Sequence, residues 1–405
     1  MSTPRLEVDL EAVRHNARHL VDALAPRGIR VVAVTKAVVA WDRVATALIE
    51  AGVAGLGDSR IESLGSLRST GITTPLTLVR SPMLSQVDAV VRSADVSLNT
   101  ESVVLEALSA AASRLNQLHS VVVMVELGDL REGVDAVDVV SVARFVRSLP
   151  GLSLAGIGTN LACQNGVVPD QAKMDELSGL AEEVEAACGH KLSTVSGGNS
   201  ASLGWALATD DVGRIDELRL GEAILLGVDP LDRRPIAGLR GDAFRVVAEV
   251  IEVATKPTRP WGQLAQTAFG EPRPAHQAAA TRRQAILALG RQDVDPAGLT
   301  PPAGMSVLGA SSDHLVVDLG DHDLAVGDEV TFAPDYSALL RASTSRFVAK
   351  VDRASTFPAP HQGPEGSPSS ATPQPATTAV TRRSMAPTVR AAEAGSPLTR
   401  TEKTT

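Results

Sequence analysis

Residues 31–40 read VVAVTKAVVA and contain a single charged side chain, Lys36, in an otherwise apolar run. A segment that is apolar on both faces predicts a buried parallel strand, and parallel barrels place their catalytic groups at the C-terminal ends of such strands. Desolvation favours the neutral form of an amine, and a neutral lysine amine can form a Schiff base with an aldehyde. The alternative is a lysine whose ammonium group extends to solvent at the strand end. The stretch alone leaves both interpretations open, so the choice depends on which residues converge on Lys36.

Composition and charge restrict the class of protein. The chain has 405 residues, enough for one large domain and a smaller one, and its 44% hydrophobic and 21% charged content is ordinary for a globular protein. A net charge of −9 without a basic block predicts no nucleic-acid partner. Cys163 and Cys188 form neither a disulfide framework nor a zinc spacing, so no metal site is predicted. With no apolar signal core and no run of about 18 apolar residues, we expect a cytoplasmic protein with no membrane partner.

Strand-like and helix-like segments alternate over the first part of the chain. Asp9 is the predicted N-cap of a helix that ends at Pro26, and further helical patterns cover residues 41–51, 101–117, 137–148 and 171–188. Eight candidate strands occupy residues 31–35, 54–58, 75–79, 95–98, 120–126, 154–159, 192–196 and 217–220. This count and spacing favour an α/β fold of the (β/α)8 TIM-barrel type over an open sheet. No Gly-x-Gly-x-x-Gly follows the first strand, which argues against a dinucleotide-binding fold.

After about residue 236 the pattern changes to strands joined by Gly, Pro and Asp turns with little helix, at residues 245–254, 284–290, 314–319 and 328–333. We therefore predict a strand within residues 1–9 that packs with a mostly-β domain, a barrel at 10–235, and the β domain itself at 236–352. Residues 353–405 are rich in Pro, Ser and Thr. Such a segment buries too little apolar surface to offset its ordering entropy, so we predict a disordered tail.

Two glycine-containing turns follow the last two barrel strands. Residues 196–202 read SGGNSAS, and residues 218–223 read LRLGEA. Small residues, hydroxyls and backbone N–H groups at such turns bind anions, and adjacent turns at the last two strands are the phosphate site typical of barrels. In a closed barrel the first strand, which carries Lys36, lies next to the eighth. An amine beside a phosphate site predicts a phosphorylated aldehyde cofactor, of which pyridoxal 5'-phosphate (PLP) is the obvious candidate.

Phrases along most of the chain carry a family resemblance. Between Pro4 and Ala342 they include PRLEVDLEAVRHNA, VTKAV, GDSRIES, VELGDLREGV, GIGTNLAC, SGGNSASL, LRLGEAILLG and DYSALLRA, in this order. With them the chain resembles the fold-type III PLP enzymes of the alanine racemase superfamily, and within it the ornithine racemase branch. The resemblance implies a TIM barrel with a second β domain, PLP as cofactor, an amino-acid substrate, racemase activity and a homodimer.

The resemblance also implies roles for individual residues. Lys36 matches the lysine that holds PLP, and the phosphate group is implied to contact Ser200, Tyr336 and backbone groups of Gly221 and Glu222. Asn160 stands where alanine racemases have a ring-contacting histidine, a departure that argues against strict alanine specificity, and Asn199 lies beside Ser200. Arg131 matches an arginine near the cofactor hydroxyl and the substrate carboxylate, with a solvated loop arginine as the alternative.

Arg219 matches the arginine that faces the pyridine nitrogen. A guanidinium cannot give up a proton, so it donates to a nitrogen that stays unprotonated. This weakens the cofactor as an electron sink and favours return of a proton over decarboxylation or transamination. An ordinary surface arginine is the alternative.

The second catalytic base departs from the family pattern. Racemisation needs an acid/base group on each face of the substrate carbon. Alanine racemases use a partner-subunit tyrosine in a Tyr-Gly phrase, whose counterpart here is Phe269-Gly270. We predict His314 as the second base, with a structural histidine as the alternative, and Cys163 as the next candidate. For the distal ammonium of a basic substrate, the candidate carboxylates are Asp58, Glu126, Asp293 and Asp295.

Three other functions remain open from the sequence. A PLP-dependent lyase or decarboxylase would keep the cofactor, although Arg219 argues against decarboxylation. A non-catalytic PLP-homeostasis carrier would share the barrel, although the predicted β domain argues against it. A cofactor-free racemase with two catalytic cysteines is disfavoured because Cys188 lies on a predicted helix.

Overall fold

The computed structural model of the chain describes residues 4–270 and 280–353. The predicted disordered tail, residues 353–405, therefore lies outside the described residues except for Arg353. The described part contains a closed eight-stranded barrel and a second, mostly antiparallel sheet. This architecture confirms the predicted fold class, while the exact domain boundaries stay predictions. Within the described ranges, no helix combines the length and the apolar character needed to cross a membrane.

The barrel consists of parallel strands paired in chain order, and its last strand pairs with its first. After the N-terminal strand β1 (Arg5–Val8), the barrel strands are β2 (Arg30–Val34), β3 (Gly55–Asp58), β4 (Leu76–Leu78), β5 (Val96–Asn99), β6 (His119–Val125), β7 (Leu152–Thr159), β8 (Thr194–Ser196) and β9 (Glu217–Leu220). At the closure Val32 pairs with Arg219 and Ala33 with Leu220. Lys36, two residues beyond β2, is thereby placed beside the residues that follow β9.

Helices surround the barrel and bury their apolar faces against it. They are α1 (Leu10–Leu24), α2 (Asp42–Glu50), α3 (Ile61–Ser69), α4 (Val87–Ser93), α5 (Ser102–Leu115), α6 (Val139–Ser148), α7 (Gln171–Cys188), α8 (Leu203–Ala208) and α9 (Glu222–Leu226). Asp9 caps α1 as predicted, because its carboxylate accepts the Ala12 N–H at 2.9 Å. Leu20 of α1, Leu48 of α2 and Leu105 of α5 are completely buried. Each such leucine stabilises the fold by roughly 2 kcal/mol.

The second sheet combines the N-terminal strand β1 with strands that follow the barrel. Its later strands are β10 (Phe244–Pro257), β11 (Thr281–Leu287), β12 (Leu299–Thr300), β13 (Ser306–Ala310), β14 (Leu315–Asp318), β15 (Glu329–Pro334) and β16 (Ala349–Asp352). Strand β1 joins this sheet, antiparallel to β10 and parallel to β16.

One helix of the C-terminal region, α10 (Tyr336–Thr344), was not predicted. Asp335 caps it by accepting the Ala338 N–H at 2.9 Å. The helix packs against the 3-10 turn Lys36–Val38, and Tyr336 is its first residue. A residue of the C-terminal region is therefore held at the mouth of the barrel beside Lys36.

Candidate active site

A cavity of about 590 Å³ opens at the C-terminal ends of the barrel strands. Nine of the ten predicted site residues line it, namely Lys36, Arg131, Asn160, Asn199, Ser200, Arg219, Gly221, Glu222 and Tyr336. Cys163, the second candidate for the other base, lines it as well. The tenth residue, His314, does not. The fold thus brings the predicted residues together, while the role of each one stays a prediction.

Lys36 is half-buried and opens the 3-10 turn that follows β2. Its position is fixed through the preceding residue, because the Thr35 hydroxyl donates to the carboxylate of Asp58 at 2.9 Å. Asp58 is buried, which raises the pKa of its carboxyl, and it also accepts the Arg60 N–H at 2.9 Å. Among the described residues, no carboxylate forms an ion pair with the Lys36 ammonium. The amine is therefore available to a ligand in the cavity.

The turn between β8 and α8 presents a hydroxyl to the cavity. Gly198 has φ +111°, a backbone conformation that favours glycine, and Asn199 then accepts the Ala201 N–H at 2.8 Å. The Ser200 hydroxyl oxygen accepts the N–H groups of Gly221 at 3.1 Å and Ala223 at 3.2 Å. This differs from the predicted arrangement, in which the Gly221 N–H faces an anion directly. Because Ser200 accepts both N–H groups, its own proton remains free to donate into the cavity.

Tyr336 also lines the cavity and supplies a second hydroxyl to it. Burial, reinforced by the negative charge of Glu222, raises the pKa of Tyr336 to about 12. The phenol is therefore protonated at neutral pH, and its hydroxyl has no hydrogen-bond partner in the part of the chain that the structure describes. Two hydroxyl donors, from Ser200 and Tyr336, fit the oxygen atoms of a phosphate group.

Arg219 lines the cavity and is 4% exposed, so it is not the surface arginine of the alternative interpretation. Its guanidinium donates to the Ser196 hydroxyl and, at 2.7 Å, to the Thr159 carbonyl. Complete burial lowers the pKa of the guanidinium, which nevertheless stays protonated at neutral pH. No carboxylate of the described residues forms an ion pair with it. A buried guanidinium without an ion-pair partner among the described residues fits the acceptor nitrogen of a pyridine ring.

The loops after β6 and β7 form the wall of the cavity across the barrel from β2 and Lys36. The Asp129 carboxylate accepts the backbone N–H groups of Cys163 at 3.1 Å and Gln164 at 2.8 Å, and it thereby ties the two loops together. Asn199 donates through Nδ2 to the Asn160 side-chain oxygen at 3.0 Å and lies 3.3 Å from the Cys163 sulfur. The side-chain nitrogen of Asn160 is buried without a hydrogen-bond partner within the described residues. Such an orphaned donor fits a polar atom of a bound cofactor.

His314 and Phe269 lie outside the cavity of their own chain. His314 occupies the turn between β13 and β14, where its Nδ1 lies 3.0 Å from the Asp313 carboxylate. Phe269 is exposed, and the Arg291 guanidinium lies 4.8 Å from the centre of its ring. A role for His314 as the second base therefore requires that a second copy of the chain supplies it.

None of the four carboxylates predicted for a distal ammonium lines the cavity. Asp58 is occupied by Thr35, and Asp293 is buried beside Ser345, whose hydroxyl donates to it at 3.0 Å. Glu126 accepts the Leu130 N–H at 3.1 Å, and Asp295 accepts the Ser337 hydroxyl at 2.6 Å. Each carboxylate already has a structural partner.

Sequence reasoning missed five polar residues that do line the cavity: Ser59, Arg80, Ser81, Glu132 and Arg233. Glu132 pairs with Arg131, and Arg233 pairs with Glu222. Their positions just beyond strands or in adjoining loops are the sequence signal that could have found them. The cavity carboxylates are therefore Glu132 and Glu222.

Comparisons with known proteins agree with this geometry. Residues 8–230 match the family model described as alanine racemase, N-terminal domain. The chain is 36% identical to an ornithine racemase of Acetoanaerobium sticklandii, over 86% of this chain and 99% of the relative. It is 38% identical to a lysine racemase of Thermotoga maritima, over 87% of this chain and 99% of the relative.

A solved structure shares the architecture. The crystal structure of alanine racemase from Streptomyces lavendulae superposes with a TM-score of 0.67 at 21% identity, covering 87% of this chain and 98% of that one. At this identity the likeness concerns the fold. The match to more than half of the chain, together with relatives of similar length above 30% identity, places the protein in a family: this chain belongs to the alanine racemase family.

Proposed function

We propose that the protein is a PLP-dependent racemase that interconverts the L and D forms of an amino acid, with ornithine or another basic amino acid as the first candidate and alanine as the next. The observation that carries the proposal is a single cavity that holds the unpaired Lys36 amine, the two hydroxyl donors of Ser200 and Tyr336, and the buried Arg219 cation. The ornithine and lysine racemases among the relatives support the basic substrate.

When bound, PLP acidifies the bond between the α-carbon and its hydrogen. Lys36 would hold the cofactor covalently through Nζ, and once the substrate amine has displaced Nζ, the freed lysine amine would exchange the α-proton on one face. Ser200 and Tyr336 would donate hydrogen bonds to the phosphate group, and Arg219 would donate to the pyridine nitrogen. Arg131 and Asn160 orient the ring from the opposite wall. Asn199 holds Asn160 in place, and the N–H groups of Gly221 and Ala223 support Ser200.

The competing functions keep some of these groups but not all. A decarboxylase gains from a strong electron sink, whereas Arg219 limits the sink because it keeps the ring nitrogen unprotonated. A non-catalytic carrier would need only the barrel, whereas here Tyr336, the first residue of α10 in the C-terminal region, also lines the cavity.

The other face of the substrate needs a second acid/base group, and we propose that a homodimer provides it. His314 is the proposed residue, supplied by the neighbouring copy, because its own chain holds it away from the cavity. The β10–β11 region exposes Trp261, Leu264 and Phe269, apolar side chains suited to contact with another chain. Cys163 is the alternative base, since it lines the cavity already. We further propose a cytoplasmic location.

Replacing His314 with alanine will slow solvent deuterium exchange at the α-carbon of one enantiomer at least about tenfold more than that of the other. The reason is that each base serves one face. The measurement is proton NMR of each pure enantiomer in D₂O. His322→Ala is the matched control, because His322 also lies in the second sheet region and contacts the Ala303 carbonyl at 2.8 Å. Equal slowing of both enantiomers, or none, would remove His314 as the second base.

A chiral chromatographic assay of the PLP-loaded protein over alanine, serine, lysine, arginine and ornithine tests the proposed function directly. We expect interconversion of both enantiomers, fastest with ornithine or lysine, the amino acids named for the two relatives, and at least about tenfold slower with serine. Amine and carbon dioxide release are monitored in the same reactions. Conversion to a decarboxylated or cleaved product would favour the lyase alternative, and no conversion of any of the five would contradict the proposal.

A further inference from the structure

The charges around the cavity divide into paired and unpaired groups. In the part of the chain that the structure describes, the cavity is lined by five cationic side chains, namely Lys36, Arg80, Arg131, Arg219 and Arg233, and by two carboxylates, Glu132 and Glu222. Both carboxylates are used, because Glu132 pairs with Arg131 and Glu222 with Arg233. Lys36 and Arg219 have the cofactor roles proposed above. Arg80 is the cation that remains without an assigned partner.

Arg80 follows β4 by two residues and is half-buried. No hydrogen bond or ion pair connects its guanidinium to any of the described residues, and the same is true of the hydroxyl of its neighbour Ser81, which also lines the cavity. A guanidinium that is partly removed from water without an anion loses hydration and gains nothing in return. This combination of a free cation and a free hydroxyl at one strand end indicates a site for an anionic ligand.

The position of β4 separates this anion from the cofactor phosphate. In the closed barrel, β4 lies across the mouth from β8 and β9, where Ser200 and Gly221 form the phosphate end. Lys36 follows β2, between the two ends. A second anionic group, on the far side of Lys36 from the phosphate, is therefore needed to occupy Arg80. The α-carboxylate is the anion that every amino-acid substrate carries.

We propose that Arg80, assisted by the Ser81 hydroxyl, binds the α-carboxylate of the substrate. The assignment rests on the proposed function. Guanidinium groups bind carboxylates through two parallel N–H···O hydrogen bonds, which fix the orientation of the carboxylate as well as its position. Arg131, which the family resemblance placed near the carboxylate, is neutralised by Glu132 in this chain. Arg80 thus orients the α-carbon towards Lys36 and selects free amino acids over their amides.

The test uses the PLP-loaded protein with propanoate and its neutral isostere propanamide, which lack an amine and are not turned over. Dissociation constants are measured by calorimetry and by ligand-observed NMR. We expect the wild type to prefer propanoate, and Arg80→Gln to weaken propanoate binding roughly 10- to 100-fold while propanamide binding changes less than about twofold, because hydrogen bonds to charged groups are the strong ones. Arg80→Lys keeps the charge but lacks the planar guanidinium. We expect its propanoate affinity to lie between those of the wild type and Arg80→Gln.

Arg233→Gln is the matched control, since it removes one positive charge from the same cavity at a side chain that is already paired. An equal loss of propanoate binding in Arg233→Gln would show a general charge effect and overturn the assignment, as would unchanged binding in Arg80→Gln. PLP content and the urea midpoint of each variant verify that the cavity is intact. If Arg80→Gln is unstable, the propanoate preference of Arg80→Lys decides, and an undiminished preference overturns the proposal.

This experiment separates the two proposals because no turnover is involved. A protein that racemises none of the five amino acids but binds propanoate through Arg80 would contradict the proposed function and keep the anion site. Racemisation together with propanoate binding that is independent of Arg80 would support the proposed function and contradict the carboxylate site at Arg80.

Discussion

Replacing Lys36 with alanine will lower the racemisation rate at least about 10³-fold and abolish covalent attachment of PLP. The Lys36 amine has two proposed tasks, holding the cofactor and exchanging the α-proton, and no other lysine lines the cavity within the described residues. The fold should be retained, because the side chain is half-buried and makes no ion pair with a described carboxylate. The measurements are borohydride reduction followed by peptide mass mapping, and the chiral assay.

Lys350 provides the matched control for this prediction. It is also half-buried, burial lowers the pKa of its ammonium group, and Nζ donates to the Val38 carbonyl at 3.3 Å at the far end of the Lys36–Val38 turn. Reducible attachment of PLP to this amine is the main competing interpretation. We expect Lys350→Ala to keep the label on Lys36. A label that survives in Lys36→Ala, or activity within tenfold of the wild type, would contradict the assignment.

The barrel could be predicted from sequence because its strands are apolar on both faces and end at turns rich in small residues. Strand β9 was predicted with the bounds that the structure shows, Glu217–Leu220. A helix or helical turn was expected after each strand, but the bounds of α3 and α4 were not predicted, for a physical reason. The segment Ile61–Ser69 contains Gly65 and three serines, and Val87–Ser93 spans about two turns, so neither has a strong helical pattern. Whether such segments become helical depends on their tertiary packing.

The candidate site was predictable where residues lie at strand ends, since parallel strands deliver those ends to one mouth. Arg80 satisfies the same rule but was overlooked, because an arginine at a strand end is usually solvated and only the fold shows that it has no partner. The sequence also did not reveal which carboxylates have hydrogen-bond partners in the fold. Asp58 and Asp293 are ordinary acidic residues in the sequence, and their burial against Thr35 and Ser345 depends on contacts that no local pattern encodes.

Arg219→Met is expected to lower racemisation at least about 10²-fold, the usual cost of removing one preorganised electrostatic donor. It should change the free energy of unfolding of the PLP-free protein by less than about 2 kcal/mol. Burial of an unneutralised guanidinium is costly, and methionine removes that cost with a side chain of similar length. Part of the gain is lost because the Thr159 carbonyl loses its donor, which was at 2.7 Å. The measurements are the chiral assay and urea denaturation of the PLP-free protein.

The substitution also affects Glu217, whose carboxyl lies close enough to Arg219 to feel its charge. Burial raises the pKa of its carboxyl, and the nearby positive charge of Arg219 opposes that rise. With Arg219 gone this opposition is lost, so the pKa of the Glu217 carboxyl is expected to rise further. Arg214→Met is the matched control, because Arg214 donates to Glu185 at 2.6 Å and does not line the cavity. It should lower stability and change the racemisation rate less than about threefold, since its ion pair is structural. If Arg219→Met instead unfolds the PLP-free protein, or leaves racemisation within tenfold of the wild type, then Arg219 is a structural cation and its catalytic assignment fails.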